Sequence, residues 1–161
     1  MSRILFVLLI LGTLLSPQGD LFAYTDQIGV SRDEALEAAR DVFAPYGIRR
    51  DDPEKGIVQS NWIQDHVTRK SQGLLKDIFH QKFDRRYRIT YEITEEDYAA
   101  VVRVTGKFQQ KPSSARPNLP WQRIRPSSED YLIEKNFFDS LLAQLAHNKM
   151  QASNPSSESA P

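Results

Sequence analysis

The sequence predicts an α+β domain: a four-stranded antiparallel sheet, built from two hairpins, with an N-terminal and a C-terminal helix packed on one face. Three observations carry this. A capping box opens an apolar helical stripe after Ser31. Tyr87, Ile89, Tyr91 and Ile93 alternate with Arg88, Thr90 and Glu92, the two-residue period of a half-buried strand. A second helical stripe, Phe137, Phe138, Leu141, Leu142 and Leu145, closes the folded region.

The first helix starts at Ser31-Arg32-Asp33-Glu34, where the serine hydroxyl can take an orphan helix N–H and Glu34 can reach back. Asp33 and Glu34 also suit the positive end of the helix dipole. Ala35, Leu36, Ala39, Val42 and Phe43 form its apolar side, and Pro45 and Gly47 stop it. Ile48-Arg49-Arg50, the turn formers Asp51 to Gly56, and Ile57 to Ile63 then read as a hairpin. The period of two leaves open which face of its second strand is buried.

The second hairpin pairs the Tyr87–Ile93 alternation with Tyr98, Ala100, Val102, Val104 and Phe108, through a turn at Thr94 to Asp97. With Ile93 opposite Tyr98, Arg88 falls opposite Arg103, a repulsive pair unless an acid lies between them. Residues 109–120, with three prolines, form a polar loop. Trp121 and Ile124 suit one more short edge strand before Pro126, and Ser127 or Ser128 caps the last helix. Residues 150–161 read as a disordered tail.

Residues 1–23 read as a signal peptide: Arg3, an apolar run from Ile4 to Leu15, then Ser16, Pro17 and a small residue at Ala23. The run has 12 residues, whereas a spanning helix needs about 20. Residues 24–30 are a short linker, and 31–149 form the single domain. This places the protein outside the cytoplasm, in the periplasm, and membrane-associated if the leader stays uncut. Lys+Arg and Asp+Glu both number 21, so no net field draws the chain to nucleic acid. With no cysteine, an exported domain must rest on its hydrophobic core.

Between the hairpins, Ser71 to Phe83 reads as an extra amphipathic helix with Leu74, Leu75, Ile78, Phe79 and Phe83 on one side. From His66 to Arg88 there are seven basic residues and two acids. Two readings of this helix stand open. In one it packs on the core with its cations solvated. In the other Arg69, Lys70, Lys76, Lys82, Arg85 and Arg86 contact a protein partner or an anionic membrane surface. Arg88 and Arg103 form a second candidate, on the face of the sheet.

His66, His80 and His147 lack metal-ligand spacing, so no metal site is expected. No nucleophile elbow or phosphate-cradling glycine loop is present, and no cofactor is expected. A hydrolase site around Asp65, His66 and His80, with a serine such as Ser71, would need a geometry that sequence does not supply. Trp62 and Trp121 suit either core positions or recognition platforms.

The segments ALEAARDVFAPYGI, DDPEKGIVQSNW, RYRITYEI and NFFDSLLAQL, in this order, resemble a single helix-grip domain of the BamC (NlpB) family over residues 31–147. Members of that family are accessory lipoproteins of the outer-membrane β-barrel assembly machine. The resemblance implies a helix-grip fold, an envelope setting and a protein partner there. The family's lipid-bearing cysteine has no counterpart in this chain. The function expected is therefore a non-enzymatic exported protein-interaction domain, accessory to envelope protein assembly. The alternatives are a peripheral membrane-surface protein using helix 71–83 and a small hydrolase.

Overall fold

The computed structural model describes residues 23–70, 80–113, 119–125 and 127–153, with backbone alone for 67–70 and 80–82. Of the leader expected over 1–23, residues 1–22 lie outside the described residues. In chain order the elements are β1 (Tyr24–Ile28), α1 (Arg32–Phe43), a 3-10 turn (Ala44–Tyr46), β2 (Ile48–Asp52), β3 (Ile57–Ser60), β4 (Ile63–Lys70), β5 (His80–Glu96), β6 (Ala99–Pro112), β7 (Gln122–Arg123) and α2 (Ser128–Ser153).

The fold is α+β, and among the described residues its antiparallel sheet has seven strands where four are predicted. The expected pairs β2–β3 and β5–β6 are present. The long strands β5 and β6 run side by side at the centre. One flank of β5 pairs with β4 over His80–Tyr87 and with β3 over Thr90–Glu92. The free flank of β6 pairs with β1 over Ala100–Val104 and with β7 over Gln109–Gln110. Seven strands thus occupy five lanes, and the four-stranded helix-grip arrangement is not what the chain forms.

Both helices cover the same face. The box at the start of α1 is formed: Glu34 N–H donates to Ser31 Oγ at 3.3 Å, and Ser31 N–H donates to Glu34 Oε2 at 2.8 Å. Ala35, Leu36, Ala39 and Phe43 of α1 and Phe137, Phe138, Leu141 and Leu145 of α2 bury against Val58, Ile89, Tyr91, Ile93, Val102 and Val104. Phe43 stacks on Tyr91 with ring centroids 4.7 Å apart. Each valine, leucine, isoleucine or phenylalanine among them contributes about 1.5–3 kcal/mol on burial. Leu142, placed in the predicted stripe, is exposed, and the contact is made by Phe137, Phe138, Leu141 and Leu145.

Three further expectations change. The linker assigned to 24–30 contains β1, which docks on β6 and carries Tyr24 onto Phe138 at 4.7 Å. The helix predicted over 71–83 fails at its C-terminal end: His80–Phe83 belong to β5, paired to Val67–Lys70 of β4. There the ladder satisfies the backbone groups that a helix would satisfy internally. Residues 71–79 lie outside the described residues. The tail predicted over 150–161 is helical at its start, since α2 runs to Ser153, and residues 154–161 lie outside the described residues.

The second hairpin turns at Asp97-Tyr98, with both residues at positive φ (50° and 63°) and Glu96 paired with Ala99. This two-residue turn matches the strand twist. It sends Tyr98, expected in the core, into solvent at 95% exposure. It also shifts the register, so Arg88 faces Lys107 and Arg103 faces Glu92, with Nη1 3.9 Å from Oε2. The repulsive Arg88–Arg103 pair does not form.

Candidate functional site

Alternation along β5 divides its basic residues between the two faces. Arg85 points to the helix side. It is 8% exposed, with Nη2 2.8 Å from Asp65 Oδ2 and Nη1 3.4 Å from Asp130 Oδ1. Expected on a partner-binding surface, it instead joins β4, β5 and the start of α2. Arg86 and Arg88 point to the other side, the face that the helices leave uncovered.

Two irregular stretches bring tryptophans onto that face. Between β3 and β4 the strand breaks at Asn61-Trp62. Asn61 N–H donates to Gly47 O at 2.9 Å. Gly47 has φ 78°, a backbone conformation that L side chains rarely adopt, so this turn favours glycine. Where β3 leaves β5, Ile89 N–H donates to Ser60 Oγ at 3.0 Å, so the break leaves that buried amide satisfied. At the opposite edge, β7 pairs with Gln109–Gln110 and holds Trp121 beside β6.

The Arg86 guanidinium lies between the two indoles, 4.6 Å from the Trp62 ring centroid and 4.3 Å from that of Trp121. Its Nε donates to Gln109 Oε1 at 2.8 Å. The Arg88 guanidinium sits 4.2 Å from Trp62, and Lys111 Nζ 5.0 Å from Trp121. A cation over an indole is stabilised by about 0.5–2 kcal/mol, more as water is excluded. Arg88 is 9% exposed, and its Nε is buried with no hydrogen-bond partner among the described residues. Burial lowers the Arg88 pKa, and the neighbouring charges of Arg49 and Arg86 lower it further. Burial also lowers that of Arg86. Three acids at the margins of this face are engaged: Asp52 with Arg50, Glu92 with Arg103, and Asp84 with His66, Ser113 and Lys111.

The structure therefore brings Arg86 and Arg88 together with Trp62 and Trp121, all weighed from the sequence, and adds Arg49 and Lys107. Arg103 lies further along the face, opposite Glu92. Arg69 and Lys70 end β4 and Lys82 lies in β5, while Lys76 is outside the described residues. The sequence signal for Lys107 was its place among the outward residues of the β6 alternation. Nothing local marked the convergence of the two tryptophans, which depends on β4 and β7 docking on opposite flanks.

Asp65 and His66 are separated in the same way. Asp65 engages Arg85 on the helix side, whereas His66 Nδ1 lies 3.1 Å from Asp84 Oδ1 on the open side. Two grooves, of about 510 and 560 Å³, flank the α1–α2 contact and contain neither Asp65 nor His66. Among the described residues, no three His, Asp or Glu side chains cluster as metal ligands. Among them, too, no helix is long and apolar enough to cross a membrane.

No family model and no curated protein matches the sequence. Among solved structures, the chain is similar to a DUF4468 family protein from Bacteroides ovatus ATCC 8483. That match has 10% identity over 87% of this chain and 88% of the other, with a TM-score of 0.48. The chain is also similar to a TBP-like protein from Parabacteroides distasonis ATCC 8503, at 11% identity over 77% of this chain and 92% of the other, with a TM-score of 0.38.

Proposed function

We propose that the protein is a non-enzymatic, exported protein-interaction domain that meets its partner through the open face of the sheet, in the service of envelope protein assembly. One observation carries this reading: Arg86 and Arg88, without acidic partners among the described residues, are held beneath Trp62 and Trp121 on the uncovered face. Tryptophan and arginine are the residues that most often dominate interface energies. The leader pattern supports export, and the BamC resemblance supports the envelope setting. Separation of Asp65 from His66 by the strand pleat weighs against the hydrolase reading.

Site-specific photo-cross-linking in intact cells tests this. A photoreactive residue at Lys107, on the open face, should give a discrete protein adduct. The same residue at Glu37, on α1, should not. Equal adducts from both positions, or none from Lys107, would overturn the reading. N-terminal sequencing of the purified protein should begin at Tyr24, and an intact leader would remove the soluble periplasmic form.

A further inference from the structure

We infer that the Trp62–Arg88 patch receives an acidic peptide segment of the partner, with a carboxylate taken up by the Arg88 guanidinium. This rests on the reading of the open face as a protein-interaction surface and names the chemistry recognised there.

Charge complementarity selects the occupant. Arg49, Arg86, Arg88 and Lys107 gather on one side of the sheet, and no carboxylate among the described residues pairs with any of them. Arg88 is already largely desolvated, with its Nε unpartnered. A buried cation lacking its counter-charge is costly, so an incoming carboxylate recovers energy without having to strip water from the arginine. Trp62 restrains the guanidinium before binding, which lowers the ordering cost of the complex.

The margins restrict the ligand further. Asp52, Asp84 and Glu92 border the patch, and the chain as a whole is neutral. A long polyanion would meet these carboxylates on either side. A segment with one or two acids spaced by apolar side chains meets the cations at the centre and the indoles beside them.

The protein supplies its own probe, since its two tryptophans are the two that flank Arg86. Selection from a random dodecapeptide display library should enrich Asp and Glu beside apolar residues. A synthetic enriched peptide should change the tryptophan emission saturably, and its Glu→Gln, Asp→Asn version should bind at least about tenfold more weakly. Arg88→Gln and the exposed Lys107→Glu should each weaken binding by a similar factor, while Lys149→Glu on α2 should not. If Arg88→Gln unfolds, Lys107→Glu and Arg49→Glu decide. Enrichment without acids, or affinity unchanged in these variants, overturns the inference. So does saturation by phosphatidylglycerol vesicles or by a dT12 oligonucleotide in place of any acidic peptide. Should the acidic preference fail while the Lys107 cross-link persists, the interaction face stands and only its chemistry falls. Loss of both removes both.

Discussion

The carboxylate of Asp130 faces the Arg85 guanidinium at 3.4 Å, inside the contact between α2 and the sheet. Asp130 is fully buried, and its other oxygen accepts from Ser127 N–H at 2.8 Å and Ser127 Oγ at 2.9 Å. One side chain thus closes the first turn of α2 and supplies a counter-charge to an arginine on β5. Asp130→Ala removes the cap and leaves Arg85 with Asp65 alone. It should destabilise the domain by about 3–5 kcal/mol, read as a lowered urea midpoint. A loss below about 1 kcal/mol would show that the helix start is held by packing instead.

Stability should fall on the acid side. The Arg85 hydrogen bond holds the Asp65 pKa below the ordinary aspartate value of 3.8. The hydrogen bond from Arg50 lowers that of Asp52, and those from Ser113 and His66 lower that of Asp84. A carboxylate whose folded pKa is depressed contributes stability in full above its unfolded pKa. That contribution is lost as pH falls through the folded value. The melting temperature should therefore decline below about pH 4. Asp65→Asn should lower the plateau near neutrality and flatten that decline. Asp65 is half exposed, so added salt should shrink the difference. An acid limb identical in the variant would assign the decline to other groups.

Gly106 marks a close approach between layers. Its N–H donates to Glu134 Oε1 at 2.7 Å, and a Cβ there would lie 2.4 Å from the Phe108 ring and 3.1 Å from Glu134. Gly106→Ala should cost about 1–3 kcal/mol by forcing the ring or α2 to shift. Gly106→Ala with Phe108→Leu should recover part of it. Equal stability of wild type and Gly106→Ala would refute the close contact.

The β5–β6 turn offers a gain. Asp97 and Tyr98 both occupy the left-handed region, and Tyr98 stands in solvent. Asn-Gly is the preferred pair for such a two-residue turn. Asp97→Asn with Tyr98→Gly should stabilise the domain by about 0.5–1 kcal/mol and leave partner binding unchanged. Calorimetry of the double variant checks it, and a lowered melting temperature would show that the tyrosine ring packs on the hairpin after all.

Local sequence information determined the parts whose signals are local. The Ser31–Glu34 box set the start of α1, and the three-to-four-residue stripes marked the buried sides of α1 and α2. The alternation through Tyr91 and Val104 put β5 and β6 on the core with the correct residues inward. Those patterns are short-range consequences of helix and strand geometry. What required the tertiary structure was the placement of segments without a pattern of their own. Tyr24–Ile28 and Ile63–Lys70 become strands because the edges of β6 and β5 offer them unpaired backbone groups. The same pairing draws His80–Phe83 out of the predicted helix. A two-residue turn centred two residues later than expected set Arg103 against Glu92 and Arg88 against Lys107. The pleat sent the adjacent Arg85 and Arg86 to opposite faces, one into the α2 contact and one between Trp62 and Trp121. Those indoles are distant in sequence, and only the docking of strands on both flanks of β5 and β6 brings them to one guanidinium.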